Sequence, residues 1–122
     1  ELHGTTLKNT CTRCGKHSGL SAVLETDGVP KCNCGGVWKP DVVLYEESLD
    51  EDVINQSVNA ISNADCLIVA GTSLTVYPAA GFVRYFRGKH FVLINRDATQ
   101  MDDVAELVIR QNVGEVFAGL KI

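Results

Sequence analysis

The strongest constraint on this 122-residue chain is the placement of four cysteines. Cys11 and Cys14 form one close pair in CTRC, and Cys32 and Cys34 form another in KCNC, with residues 15–31 between them. Four soft thiolates in two close pairs suit tetrahedral zinc. A complete sulfur set leaves no open coordination position, so the predicted zinc is structural. The second pair is C-x-C and not C-x-x-C, which asks for a sharp turn at Asn33, and the glycines of CNCGG let backbone amides approach the sulfurs. The alternative is a redox dithiol at Cys11 and Cys14, but a redox C-x-x-C normally opens a helix, and CTRCGKHSG does not read as one. His17 could replace a cysteine ligand, although a polar loop position is the simpler reading. Cys66, alone in an apolar run, reads as a small core residue. Five cysteines, an odd count, argue against a disulfide framework.

Residues 5–40 are polar and short of apolar periodicity, so they need a staple to fold. They are the expected zinc-binding module. From 41 to 122 the pattern changes to apolar runs alternating with amphipathic segments. DVVLYEE (41–47), after Pro40, reads as a strand. Residues 48–64 read as a helix capped by Ser48 or Asp50, with Leu49, Val53, Ile54, Val58 and Ile61 on one stripe. CLIVAG (66–71) and HFVLIN (90–95) have the continuous apolar character of strands buried on both faces. A helix is expected from Pro78 or Ala79 to about Phe86, a short strand at 105–110 and a last helix at 114–120. This alternation predicts an α/β fold with a parallel sheet. With about four strands and no G-x-G-x-x-G turn, 41–122 is expected to be half of a Rossmann-like domain.

The net charge is −4, from 11 basic and 15 acidic residues, without the basic stripe of a nucleic-acid-binding face. No direct nucleic-acid partner is therefore expected. No apolar run approaches a membrane span and no signal peptide is evident, so the expected location is cytoplasmic.

Taken together and in order, ELHGT, the two cysteine pairs, CGGVWKPDVVLYEESL, ADCLIVAGTSLTVYPAA and VLIN resemble the C-terminal part of the sirtuins, the NAD-dependent protein-lysine deacylases. The resemblance covers essentially the whole chain. It implies that an acyl-lysine peptide and NAD give free lysine, nicotinamide and O-acyl-ADP-ribose. His3, followed by Gly4, matches the general base, a role suited to an imidazole titrating near neutrality. Gly71, Thr72 and Ser73 match the loop that contacts NAD, and Asn95, with Arg96 beside it, matches the adenosine-ribose contact. Adenine-side contacts are implied within 110–113. Val43 and Val76 match apolar residues of the acyl-lysine channel. The backbone at Tyr45–Glu47 and Thr75–Tyr77 matches the two edges between which a substrate peptide adds as a strand. Where the family usually shows F-G-E, this chain has Tyr45, Glu46 and Glu47. The charge of Glu46 is expected to favour substrates with basic neighbours.

The family's N-terminal part, with its G-A-G-x-S turn, has no counterpart in the sequence. The chain is therefore read as a fragment that binds zinc but is inactive alone, with an exposed surface that could drive oligomer formation. Two other functions fit some of the features. A non-catalytic zinc-ribbon binding module is one, although Lys8, Arg13, Lys16 and Lys31 are few and scattered. An NAD-dependent protein ADP-ribosyltransferase is the other.

Overall fold

The computed structural model describes residues 1–121, and the chain divides into two compact units, Glu1–Val53 and Ile54–Ile122. Residue 122, where the expected half-Rossmann segment ends, lies outside the described residues.

The first unit is built on β1 (Gly4–Cys11), β2 (His17–Gly19) and β3 (Trp38–Val42), arranged antiparallel in the order β2-β1-β3, with a one-turn helix α1 (Ser21–Leu24). β1 pairs Thr10 with His17 on one side and with Lys39 on the other. Its pairing with β3 breaks between Thr5 and Asn9, and Asn9 resumes opposite Pro40. A proline cannot donate to a ladder, so it is tolerated on an edge strand beside a bulge. This corrects the expected strand at 41–47. β3 starts before Pro40 and belongs to the antiparallel sheet, and residues 44–47 form a turn instead. The long strand β1 was also hidden in a stretch without apolar alternation. Among the described residues of this unit, the buried side chains are Asn9, Cys11 and Cys32. Thiols occupy the place that apolar packing would otherwise fill.

Helix α2 (Glu51–Asn63) begins where its sequence signals put it. Asp50 Oδ1 accepts from the amides of Asp52 at 2.8 Å and Val53 at 3.2 Å, satisfying donors that the helix leaves open. Glu51 and Asp52 complement the positive end of the helix dipole.

The second unit carries β4 (Cys66–Ala70), β5 (His90–Ile94) and β6 (Leu107–Ile109), all parallel in the order β4-β5-β6. It has three parallel strands and not four, because the segment before α2 pairs elsewhere. The central strand holds the core: Phe91, Leu93 and Ile94 are buried. β4 lies at an edge, and Cys66 at its start is exposed, contrary to the core position expected of it. α3 (Ala79–Phe82) continues as a 3-10 turn over Val83–Tyr85, and α4 (Val113–Ala118) follows β6. No helix among the described residues is long and apolar enough to cross a membrane.

Candidate metal centre and ligand cavity

β1 delivers Cys11 at its last position, and the turn after it delivers Cys14. The loop before β3 carries Cys32 and Cys34. One sulfur from each lies within 4.8 Å of all the others. Cys11 Sγ is 3.5 Å from Cys34 Sγ, and Cys14 Sγ is 3.8 Å from Cys32 Sγ. A tetrahedron with zinc–sulfur bonds of about 2.3 Å has sulfur–sulfur edges of about 3.8 Å. The sulfurs thus already stand at the spacing a zinc ion requires. The turns hold them there: Cys32 N donates to Gly36 O at 2.7 Å and Gly35 N to Cys32 O at 2.8 Å. A Cβ at Gly36 would lie 2.6 Å from Cys11 Sγ, so only glycine lets the loop close against the thiol.

Ionisation is uneven across the set. The amide of Cys14, helped by that of Arg13, lowers the Cys11 thiol to about 6 against the opposing effect of burial. At Cys34 the Gly36 amide favours the thiolate, but the neighbouring Cys14 and Cys11 thiols and burial outweigh it and push the group up to about 12. Four thiolates this close need a cation among them, and zinc supplies one. His17 faces elsewhere. Its Nδ1 lies 3.0 Å from Thr10 Oγ1, whose hydroxyl donates to Asp41 at 2.6 Å.

A cavity of about 400 Å³ opens at the carboxyl ends of β4, β5 and β6. Gly71, Thr72 and Ser73 line it after β4, Asn95, Arg96, Asp97 and Ala98 after β5, and Gln111, Asn112 and Val113 after β6. Open parallel sheets bind ligands at this end. Gly71 turns with φ +63 and donates its amide to Ile94 O at 3.0 Å, tying the first rim to β5. Thr72 Oγ1 accepts from Leu74 N, and Ser73 Oγ is 2.7 Å from Thr75 Oγ1. Asn95 Nδ2 donates to Asp97 O at 2.9 Å. The fold therefore brings together all five residues singled out for cofactor contact. Sequence reasoning left Asp97 and Ala98 unassigned and gave 110–113 only as a range. Asn112 was findable: with Glu115 three residues on it reads as a helix start, and its side chain accepts from Gly114 N at 2.9 Å.

In the first unit His3 is exposed at the head of β1, and its carbonyl accepts from Val43 N at 3.1 Å. Its position is enforced by Gly4, at φ +76, where any Cβ would overlap the Asp41 carbonyl oxygen. Leu44 to Glu47 form a turn closed by Glu47 N donating to Leu44 O at 3.1 Å. Glu47 Oε2 accepts from Leu44 N at 3.0 Å and Lys39 Nζ at 3.1 Å, and these two donors hold its carboxyl below the usual range. Tyr45 is wholly exposed and Glu46 sits at φ +69. In the second unit Val76 is exposed, and its carbonyl accepts from Ala80 N.

A four-thiolate ribbon in series with a parallel three-stranded sheet defines an α/β protein of the Rossmann-like class. Residues 1–78 match the Sir2 family, and the chain belongs to that family. It is 56% identical over 119 residues to an NAD-dependent protein deacetylase of Clostridium perfringens, covering 96% of this chain and 49% of that relative. It is 50% identical over 121 residues to one of Cutibacterium acnes, covering 99% and 50%. A Sir2 solved with a p53 peptide and NAD+ superposes with a TM-score of 0.79 at 35% identity, over 95% of this chain and 51% of that one. The chain spans about half the length of the curated relatives it matches.

Proposed function

We propose that the chain supplies the zinc module, the general base and one side of the NAD site of an NAD-dependent protein-lysine deacetylase. The observation that carries this reading is the convergence of Gly71, Thr72, Ser73, Asn95 and Arg96 on one cavity at the carboxyl ends of parallel strands. A cavity of about 400 Å³ is at the low end of ligand sites, a fit for the nucleoside portion of a dinucleotide. The hydroxyls of Thr72 and Ser73 and the Asn95 amide offer bonds to ribose or phosphate, and the Arg96 guanidinium offers charge to phosphate.

When bound, NAD would supply the ADP-ribosyl acceptor: nicotinamide would leave its ribose carbon, the acyl group would pass to a ribose hydroxyl, and the lysine amine would be released with one water consumed. His3, solvent-accessible and held through its own carbonyl by Val43 N and through Gly4 N on Glu1 O, takes a proton from a ribose hydroxyl. As the family resemblance implies, the backbone of the Tyr45–Glu47 turn in the first unit and of Thr75–Tyr77 in the second each offers main-chain bonds to a peptide, and Val43 and Val76 each offer apolar surface for an acyl-lysine. Zinc at Cys11, Cys14, Cys32 and Cys34 holds the module's fold and takes no part in the chemistry. A cytoplasmic setting fits, because the four clustered cysteines serve as metal ligands only while reduced.

Nicotinamide release from an acetyl-lysine peptide tests the reading, with this chain joined to the N-terminal half of the C. perfringens relative. Release that depends on peptide and falls at least a hundredfold in His3→Ala is expected. Turnover indifferent to His3, or ADP-ribose transferred to protein without lysine deacylation, would overturn it.

A further inference from the structure

The segment after β5 has no regular structure, and one side chain from beyond it, Arg110, ties three of its residues together. Arg110, just after β6, donates from Nη1 to Asp97 O at 2.8 Å and more weakly to Asn95 O at 3.4 Å. Its Nη2 pairs with the Asp102 carboxylate. The other Asp102 oxygen accepts from the Thr99 amide at 3.1 Å and hydroxyl at 2.9 Å. Between them, Gln100 Nε2 donates to Leu74 O at 2.7 Å, one residue past Ser73. A continuous set of hydrogen bonds thus runs from Arg110 through 95–102 to the loop bearing Thr72 and Ser73. These are two rims of the same cavity, and Arg110 is not among its lining residues.

The choice of arginine is physically pointed. Its planar fork presents five donors and can engage two carbonyls and a carboxylate at once, whereas lysine offers a single point charge. Bonds to ionised groups are roughly twice as strong as neutral ones. They oppose the entropy of ordering an irregular segment.

We infer that Arg110 is a positioning residue for the cavity: its guanidinium holds the Asn95 and Asp97 carbonyls and Asp102, and thereby sets the rims that meet the ligand, without touching the ligand itself. The binding part of this inference rests on the nucleotide reading above, and the ordering part does not.

The test uses the zinc-loaded 122-residue chain with Arg110→Ala and Arg110→Lys. Amide hydrogen exchange in residues 97–102 should accelerate at least tenfold in Arg110→Ala while β4 and β5 stay protected. Lysine should recover only part of the protection. Unchanged exchange in this segment would overturn the clamp whether or not any ligand binds. Calorimetry with ADP-ribose is the second arm. Affinity should drop at least tenfold in Arg110→Ala and return in part on adding millimolar guanidinium, a rescue that a general loss of structure would not allow. A loosened segment with undiminished ADP-ribose affinity would overturn the positioning role. Failure of the wild-type chain to bind ADP-ribose would overturn the nucleotide reading and the positioning role with it, leaving the clamp to be decided by exchange. Should Arg110→Ala not fold, Asp102→Asn keeps the Thr99 contacts and removes the charge partner. It should show the same changes at smaller size, and no change in it would overturn the inference.

Discussion

Replacing Glu46 by glycine should stabilise the chain. Glu46 is the third residue of the turn that Glu47 N closes onto Leu44 O, and its φ is +69. A positive φ at this turn position calls for glycine. An L-residue in the left-handed region carries a penalty of about 1–2 kcal/mol. Glycine gives back about 0.5–1 kcal/mol through its more flexible unfolded chain. The net gain is about 0.5–1 kcal/mol, which for a chain of this size raises Tm by about 2–4 °C. Differential scanning calorimetry of the zinc-loaded chain measures it. Tyr45→Gly is the control, since Tyr45 is wholly exposed with an ordinary φ. Only the entropic loss applies there, and Tm should fall. A Glu46→Gly variant with unchanged or lower Tm would refute the argument that this backbone stores strain. Glu46→Asn separates strain from charge, because asparagine tolerates the same region while removing the carboxylate. If the charge favours basic peptides, both variants lose the preference; if both retain it, that expectation fails.

Three further outcomes follow from the metal centre and the loop clamp. Cys14→Ser should abolish stoichiometric zinc measured by mass spectrometry and unfold the antiparallel unit in far-UV circular dichroism, because structural zinc binding (about 10–16 kcal/mol) exceeds what so small a module keeps in reserve. Zinc loading at pH 7 should release protons, since Cys11 at about 6 is already ionised whereas Cys34 at about 12 is not. Affinity should therefore weaken as pH falls, and calorimetry in buffers of different ionisation heat reads the proton count. At Asp102 burial opposes ionisation, but the Thr99 hydroxyl and amide and the Arg110 guanidinium outweigh it and hold the carboxyl below its usual value. Its contribution is thus complete above the unfolded value near 3.9 and is lost as pH falls through the folded one, so Asp102→Asn should flatten the acid limb of the stability curve.

What the sequence disclosed followed the physics it could carry. The zinc set was legible because sulfur chemistry and close spacing are local properties, and β5 because a central parallel strand must be apolar throughout. The helix start at Asp50 was equally local. β3 was misread because Pro40 looks like a boundary, and only the bulge at Thr5–Asn9 on the partner strand makes room for it. Cys66 was misread because an apolar run does not reveal which end of it lies at an edge. Arg110 had no signature at all: its acceptors are mostly backbone carbonyls, which every residue type provides. His17 is a polar residue and not a metal ligand, as its sequence context favours, but its place in β2 and its pairing with Thr10 had no local signal.

Gly4 carries a consequence for reading mutational data. Every replacement adds a Cβ that collides with the Asp41 carbonyl, so no amino-acid change at this position is neutral. If His3 is the general base proposed above, then in a saturation library scored for activity position 4 would be as intolerant as His3 beside it, and a statistical ranking would place both in one category. Scoring the same library for abundance would part them, with His3 variants accumulating normally and Gly4 variants depleted. The neighbour of a reactive group can look indispensable solely because it leaves another chain segment room to pass.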